Sequence, residues 1–405
     1  MLRRTILISH GWLLVIRPRT LPFSPIGRDC YKETMAQDAK TLITDLLARA
    51  DVPINGSQPW SIRVNDDRVW QRVLSQHNLG LGESYMDGWW ECDAIDEMLT
   101  RILTANLEGM LRLSPSLVLL AVGSMLSNRQ TLLRARRNAQ YHYDIGNDLY
   151  AAMLDPRMIY SCGYWKVADN LADAQEAKLD LICRKLQFEP GMRVLDIGCG
   201  WGGFIQFAAE RYGVRAVGIS PAGEQVRIAR ERCADLPVEI RQQDYREVAG
   251  QFDRVVSIGM MEHVGPRNLK EFFRVCDSVL APEGIMLHHT IGSQSSIRHG
   301  DAFVDRYIFP GGVIPSLGQI FTASRKRFVI EDVQNLGPDY DPTLLAWCSN
   351  VEAAWDDLRE YDERFRRMWR YYLLSSAAAF RAHSLQLWQL VMRREERTPR
   401  YDAAR

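Results

Sequence analysis

Arg193-Val194-Leu195-Asp196-Ile197-Gly198-Cys199-Gly200-Trp201-Gly202-Gly203, continuing into Phe204-Ile205-Gln206-Phe207-Ala208-Ala209-Glu210, is the stretch from which the rest of the chain is read. An apolar run with the look of a buried parallel strand reaches an acid, then a turn with glycines at alternate positions, then a helix. Such a corner binds a ligand against bare backbone, where a Cβ would push it off and where the turn demands φ angles that other residues resist. Gly198-x-Gly200-x-Gly202 lacks the spacing of the dinucleotide fingerprint, although the frame Gly198-x-Gly200-x-x-Gly203 passes it. The glycines alone leave the nucleotide ligand open.

Asp196, directly before the first glycine, shifts the balance. A carboxylate there suits a ligand carrying a cationic ammonium group and repels a pyrophosphate. The whole string resembles motif I of class I S-adenosylmethionine (AdoMet) methyltransferases, with a dinucleotide enzyme or a non-catalytic Rossmann-like module as the other readings.

The chain has 405 residues, 46% of them hydrophobic, enough for two domains and a large core. Lys plus Arg and Asp plus Glu number 50 each, so no global field draws the protein to nucleic acid or to an anionic membrane, and any lipid contact is local. The 8 cysteines are scattered without a Cys-x-x-Cys pair, which suggests neither zinc nor a disulfide framework and fits a reducing, cytoplasmic setting. No apolar run approaches the roughly 20 residues of a membrane span.

Residues 1–34 read as a disordered tail, with a second possible start at Met35. A small, mainly helical domain is expected over 35–123, its Gly80–Asp93 stretch dense in aromatics and acids. The pair Trp89-Trp90 invites a membrane-interface reading, but core packing is preferred for at least one of the two. Residues 124–140, with Arg129, Arg134, Arg136 and Arg137, read as a basic linker that suits lipid headgroup phosphates or a solvated connector equally.

Residues 141–395 carry the regular alternation of a doubly wound α/β sheet, and 396–405 read as a C-terminal tail. After a helix over Leu171–Leu186 and the glycine-corner strand, strands are expected at Arg215–Ile219, Val238–Gln242, Phe252–Ile258, Gly284–His289, Phe328–Val333 and Leu385–Val391. Helices fall over Ala222–Cys233, Asn268–Leu280 and about Asp341–Phe380, and the irregular stretch from Gly292 to about Ser324 is a candidate lid. A helix followed by a last strand is the order of a seven-stranded methyltransferase sheet closed by one antiparallel strand.

Ligands of open α/β sheets bind beyond the carboxyl ends of the strands, which here present Asp196, Ser220, Asp244, Glu262, His289 and Tyr340. Asp244, with Tyr245 beside it, is placed to contact an adenine or, equally, to cap a helix. The second strand ends in Ile219-Ser220-Pro221 without the ribose-binding acid of most AdoMet enzymes, so Ser220 and Gln225 are the candidates for that task. His288 and His289 point to opposite faces of their strand and do not form a metal pair, whereas His289 and Ile291 share a face. Glu262, His289, Cys162 and Tyr340 can therefore converge, and a Cys162 nucleophile paired with a histidine is a minor alternative.

A more specific resemblance is carried by Gly80-Leu81-Gly82-Glu83-Ser84-Tyr85-Met86-Asp87-Gly88-Trp89-Trp90, Tyr160-Ser161-Cys162, Val194–Gly203, Glu262-His263-Val264-Gly265 and Tyr307-Ile308-Phe309-Pro310. Jointly they resemble the cyclopropane-fatty-acyl-phospholipid synthases and the kindred mycolic acid cyclopropane synthases, over roughly residues 36–395. The resemblance implies AdoMet held by Tyr160, Ser161, the loop Leu195, Asp196, Ile197, Gly198, Cys199, Gly200, Trp201, Gly202 and Gly203, the segment Ser220, Pro221, Ala222, Gly223, Glu224 and Gln225, and Asp244 with Tyr245. It also implies a bicarbonate ion among Cys162, Glu262, His289, the backbone of Ile291 and Tyr340, acting as a base that exposes no protein nucleophile to alkylation. The expected partners are an unsaturated phospholipid bilayer met by the N-terminal domain at the inner face of the cell membrane, and a second copy in a homodimer. A methyltransferase acting on another lipid or a small amine would share the fold without needing a base for ring closure, and a non-catalytic module would need no such cluster.

Overall fold

The computed structural model describes residues 39–105, 146–296, 300–395 and 400–405. The first tail and the basic linker of the sequence reading lie outside these residues.

Seven strands form the central sheet: β1 (Arg193–Ile197), β2 (Arg215–Ser220), β3 (Val238–Gln242), β4 (Phe252–Ile258), β5 (Leu280–Gly292), β6 (Val329–Asn335) and β7 (Gln386–Arg393). Their spatial order is β3-β2-β1-β4-β5-β7-β6. The first five run parallel, and β7 lies antiparallel between β5 and β6. Val194, Leu195 and Ile197 of β1 are fully buried, as central strands covered by helices on both faces require. The order reverses between β1 and β4, which places the crevice for a ligand at the carboxyl end of β1.

The sequence reading located all seven strands of this sheet but misjudged several ends, and it did not anticipate the two-stranded sheet of Arg63–Val64 and Trp90–Glu91 in the N-terminal part. The segment expected to be one helix from about Asp341 to Phe380 is two, Gly337–Ala353 and Glu363–Arg381, joined through a 3-10 turn at Trp355–Asp357. The stretch read as irregular holds short helices at Ala302–Tyr307 and Leu317–Ser324. It is anchored over the strand ends by Val313 N–H donating to the Glu262 carbonyl (2.9 Å) and Ser293 N–H to that of Pro315 (3.1 Å).

Residues 39–105 fold against the helix Glu363–Arg381 and share one apolar core with it. Arg367 of that helix donates to the carbonyls of Tyr85 (2.6 Å) and Trp90 (3.2 Å) and pairs with Glu91 (2.8 Å). Tyr371 donates to Asn78 at 2.6 Å, and Arg381 bridges Asp96 at 2.8 Å. Trp90 is a core residue, fully buried with its indole N–H on the Leu81 carbonyl at 3.0 Å. Trp89 is half-covered by the guanidinium groups of Arg68 and Arg72, 4.5 and 4.8 Å from its ring.

Residues 400–405 do not trail away. Arg405 pairs with Asp332 of β6 at 2.6 Å, and the Tyr401 hydroxyl donates to the Lys185 carbonyl at 3.0 Å.

Candidate active site

At the end of β1 the chain turns through Gly198, Gly200 and Gly202, whose φ angles are 91°, 55° and 83°. A left-handed path at alternate positions is open to glycine and strained for other residues. Gly203 then starts the helix Gly203–Tyr212, and a side chain there would run into the Arg157 carbonyl. Asp196 is buried under this turn with Oδ1 unpartnered among the described residues. Burial pushes its carboxyl up to about 7, opposed by the ammonium of Lys178. Leu195 and Ile197 sit in the apolar core, and Trp201 donates to Asn147 (3.0 Å) and packs on Tyr150.

Past β2, the Ser220 hydroxyl donates to Gln225 Oε1 (3.1 Å) and accepts from Ala222 N–H (3.2 Å), which closes the turn into the helix Gly223–Arg232. Glu224 is exposed and pairs with Arg227 at 3.2 Å along the helix surface. After β3, the capping alternative for Asp244 is realised, since its carboxylate accepts from Arg246 N–H (2.9 Å) and pairs with the Arg246 guanidinium (3.0 Å). The Tyr245 ring packs edge-on against Phe272 in the core.

Beyond β4 and β5 lies a second, drier cluster. Glu262, in the short helix Met261–Val264, accepts the Ile291 N–H on Oε1 at 2.5 Å, while its Oε2 has no partner among the described residues. The Ile291 amide thus holds the carboxyl group itself. Burial pushes Glu262 up to about 7, so it exchanges between acid and carboxylate near neutrality. His289 stands two residues before Ile291 on the same face of β5, with Nδ1 3.4 Å from Gln389 Nε2 on β7 and Nε2 unpartnered. Burial first, then Lys178 and Lys185, hold its imidazole neutral, well below the usual range. His288 takes the opposite face, wedged between Phe272 and Phe273.

Burial drives the Tyr340 hydroxyl well above its usual range, and Cys162, Tyr372 and Glu262 act on it in the same direction. These groups therefore share one electrostatic neighbourhood. Its walls are aromatic: Tyr340 stacks on Phe380 at 4.4 Å, and Tyr160 lies among Tyr150, Trp347 and Phe309 with its hydroxyl 2.9 Å from that of Tyr372. Cys162 is fully buried, its thiol raised far above the usual range by burial, and its Sγ donates to the Gly163 carbonyl at 3.1 Å. A thiol held this way is no nucleophile. Among the described residues no cluster of His, Cys, Asp or Glu could hold a metal ion.

Sequence reasoning missed the residues that hold the Tyr160–Cys162 segment in place. Gln175 donates to the Ser161 carbonyl (2.7 Å) and Lys178 to its hydroxyl (2.9 Å), both fully buried on the helix Leu171–Lys185. Thr343 accepts from Gly163 N–H (3.1 Å) and the Trp165 indole (2.8 Å). The readable signal was the spacing of Gln175, Lys178, Ile182 and Lys185, which puts three polar residues in line with an apolar one on a single helix face.

A ligand corner beyond β1, a buried acid beneath it and a sheet closed by an antiparallel β7 define the chain as a class I AdoMet-dependent methyltransferase. Within that class it belongs to the mycolic acid cyclopropane synthetase family, whose family model matches residues 130–390. It is 50% identical over 372 residues to the cyclopropane-fatty-acyl-phospholipid synthase of Escherichia coli strain K12, covering 91% of this chain and 97% of that one. Tuberculostearic acid methyltransferase UfaA1 of Mycobacterium tuberculosis is 35% identical over 351 residues, covering 80% of this chain and 81% of that one. Among solved structures, cyclopropane synthase MmaA2 of Mycobacterium tuberculosis superposes with a TM-score of 0.60 at 30% identity, over 64% of this chain and 97% of that one. Mycolic acid cyclopropane synthase CmaA1, solved with SAH and CTAB bound, gives the same values.

Proposed function

We propose that the protein transfers a methylene group from AdoMet to the cis double bond of unsaturated phospholipid acyl chains, forming a cyclopropane ring. Identity of 50% over nearly the whole chain to a synthase of that name supports the substrate class. The observation that carries the chemistry is the buried cluster beyond β4 and β5, where Glu262 Oε2 and His289 Nε2 are unpaired polar atoms among the described residues, in aromatic surroundings.

On this reading Tyr160, Ser161, the 195–203 loop, Ser220, Gln225 and the Asp244–Tyr245 turn enclose AdoMet, and Asp196 takes the charge of its ammonium group. Bound AdoMet supplies a sulfonium methyl group for the alkene to attack, and closing the ring requires one proton to leave the new methyl. The walls formed by Tyr160, Trp347, Tyr372 and Phe380 exclude the water that would quench the carbocation on the acyl chain, and their faces stabilise it. The unpaired Glu262 Oε2 and His289 Nε2 fit a small oxyanion such as bicarbonate, Glu262 able to donate or accept and His289 held neutral. Bicarbonate there would supply the base. Cys162 and Tyr340 share the electrostatic surroundings of Glu262, and Ile291 orients Glu262.

The same reading has the protein act peripherally at the inner face of the cell membrane as a homodimer, with its N-terminal part toward the bilayer; vesicle sedimentation and analytical ultracentrifugation test these points. The activity test is mass spectrometry of dispersed unsaturated phospholipid after incubation with the protein and methyl-labelled AdoMet, with and without bicarbonate. A gain of one methylene with loss of the double bond, dependent on bicarbonate, is expected. A methyl branch without a ring would favour a lipid methylator, the second reading, to which the similarity to tuberculostearic acid methyltransferase points. No lipid change with AdoMet still bound would refute both.

A further inference from the structure

Two lysines of the helix Leu171–Lys185, Lys178 and Lys185, have no exposed surface. Seven residues apart, they lie two turns from one another on the same face. A buried ammonium is costly unless something answers its charge. For Lys185 the answer is scaffold: Asp332 lies 3.3 Å away and is also held by Arg405.

Lys178 is placed differently. Its Nζ donates to the Ser161 hydroxyl at 2.9 Å, and among the described residues no carboxylate stands within ion-pair distance of it. The titratable groups that act on it are Asp155 and Cys162 from the segment before the helix and Asp196 from β1, and it acts in turn on His289 of β5. Asp155 is already engaged by the N–H groups of Arg157 (3.0 Å) and Ile159 (2.8 Å). Asp196 has an oxygen without a partner and lies under the glycine corner, where the ammonium group of AdoMet belongs.

We infer that Lys178 is a positioning residue for AdoMet: its bond to Ser161 fixes the Tyr160–Cys162 segment beside the corner, and its charge favours the ionised form of the Asp196 carboxylate that receives the ligand. This rests on AdoMet as the ligand of the corner and not on which acceptor is alkylated. Burial pushes Asp196 up to about 7 and pulls Lys178 down to about 8, so both lie where a neighbouring charge decides their state. Removing Lys178 has two opposed effects on a cationic ligand. Asp196 loses the charge that favours its ionised form, which weakens binding. The ligand loses a like charge nearby, which strengthens it. The first effect acts only below the pH at which Asp196 ionises unaided, so the balance reverses with pH.

Calorimetric titration of AdoMet into the full-length protein separates these effects. Lys178→Met is expected to bind roughly ten-fold more weakly than the unmodified protein near pH 6, the effect of about one unit of carboxyl pKa. Near pH 8.5 it should bind equally well or better. Lys178→Arg keeps the charge and should recover most of the affinity near pH 6. Ser161→Ala keeps the charge but breaks the bond, and should weaken binding by the same factor at both pH values. A Lys178→Met defect that is equal at both pH values, or no defect at all, overturns the role. If Lys178→Met does not fold, Ser161→Ala compared with the unmodified protein still decides: weaker AdoMet binding by a similar factor near pH 6 and near pH 8.5 is expected, and no weakening overturns the role. An unmodified protein that does not bind AdoMet would instead overturn the reading of the corner itself.

Discussion

Replacing Glu262 by Gln tests the second cluster through stability and activity at once. The amide retains an oxygen for the Ile291 N–H, which Glu262 now holds at 2.5 Å, and imitates the neutral acid. The Glu262 carboxyl is raised from 4.5 to about 7 by burial. At 1.36 kcal/mol per unit this corresponds to about 3 kcal/mol. Because the folded-state pKa lies above the unfolded value, the folded protein holds the extra proton across this window. The contribution to stability is therefore complete below the unfolded value of 4.5 and lost as pH rises through about 7. Glu262→Gln removes this slope. Urea unfolding should show variant and unmodified protein equally stable near pH 4, with the variant ahead by about 3 kcal/mol near pH 8. AdoMet affinity should stay within about two-fold, while turnover of the lipid falls by roughly two orders of magnitude or more. A stability difference independent of pH would show that the carboxyl is not held neutral by its surroundings. Lost AdoMet affinity would move Glu262 from the acid–base cluster to the cofactor site.

The neighbouring histidines should separate cleanly. His288→Leu removes two ring nitrogens that have no partner among the described residues and should raise stability by about 1 kcal/mol without changing AdoMet binding, whereas His289→Gln should cost most of the turnover; calorimetry and the lipid assay check both. Gly200→Ala adds a Cβ whose nearest neighbour is Gln225 Nε2 at 4.0 Å, so the fold loses only the backbone strain of about 1–2 kcal/mol, while AdoMet affinity, measured by calorimetry, should fall more than about ten-fold. Trp90→Ala empties a fully buried site and should lower unfolding stability by about 3–5 kcal/mol, against about 1–2 kcal/mol for Trp89→Ala, which loses its stacking with Arg68 and Arg72 and a partial contact with the core.

The sheet was legible because buried parallel strands are apolar runs and their loops carry polar punctuation, as Val194–Ile197 ending in a glycine turn shows. Element ends were less so. The start of β5 is hidden by Pro282 and Glu283, and a six-residue helix such as Ala302–Tyr307 is too short for a helical period to emerge. The capping box of Ser316 and Gln319 before Leu317–Ser324 was present in the sequence and is the signal that would have shown that helix. Residues at strand ends could be named as candidates because topology alone sends them to the crevice. Lys178 and Gln175 were not, since a polar residue on an amphipathic helix reads as solvent-facing until its burial is known. For Asp244 and Glu224 residue type and position suggested a ligand role, but the sequence does not show that their carboxylates also pair with Arg246 and Arg227.

The strand β7 sits between β5 and β6, yet it is made last of the seven. While a ribosome is still translating residues before 386, β5 has an open edge and β6 has no neighbour to join. His289 faces Gln389 across that missing strand, and Ile291 faces Leu387. A growing chain can complete the glycine corner on β1, β2 and β4 long before the acid–base cluster has its final frame. The frame of the glycine corner is thus complete ahead of that of the Glu262–His289 cluster during synthesis, and the open β5 edge is the surface a nascent-chain chaperone would need to shield.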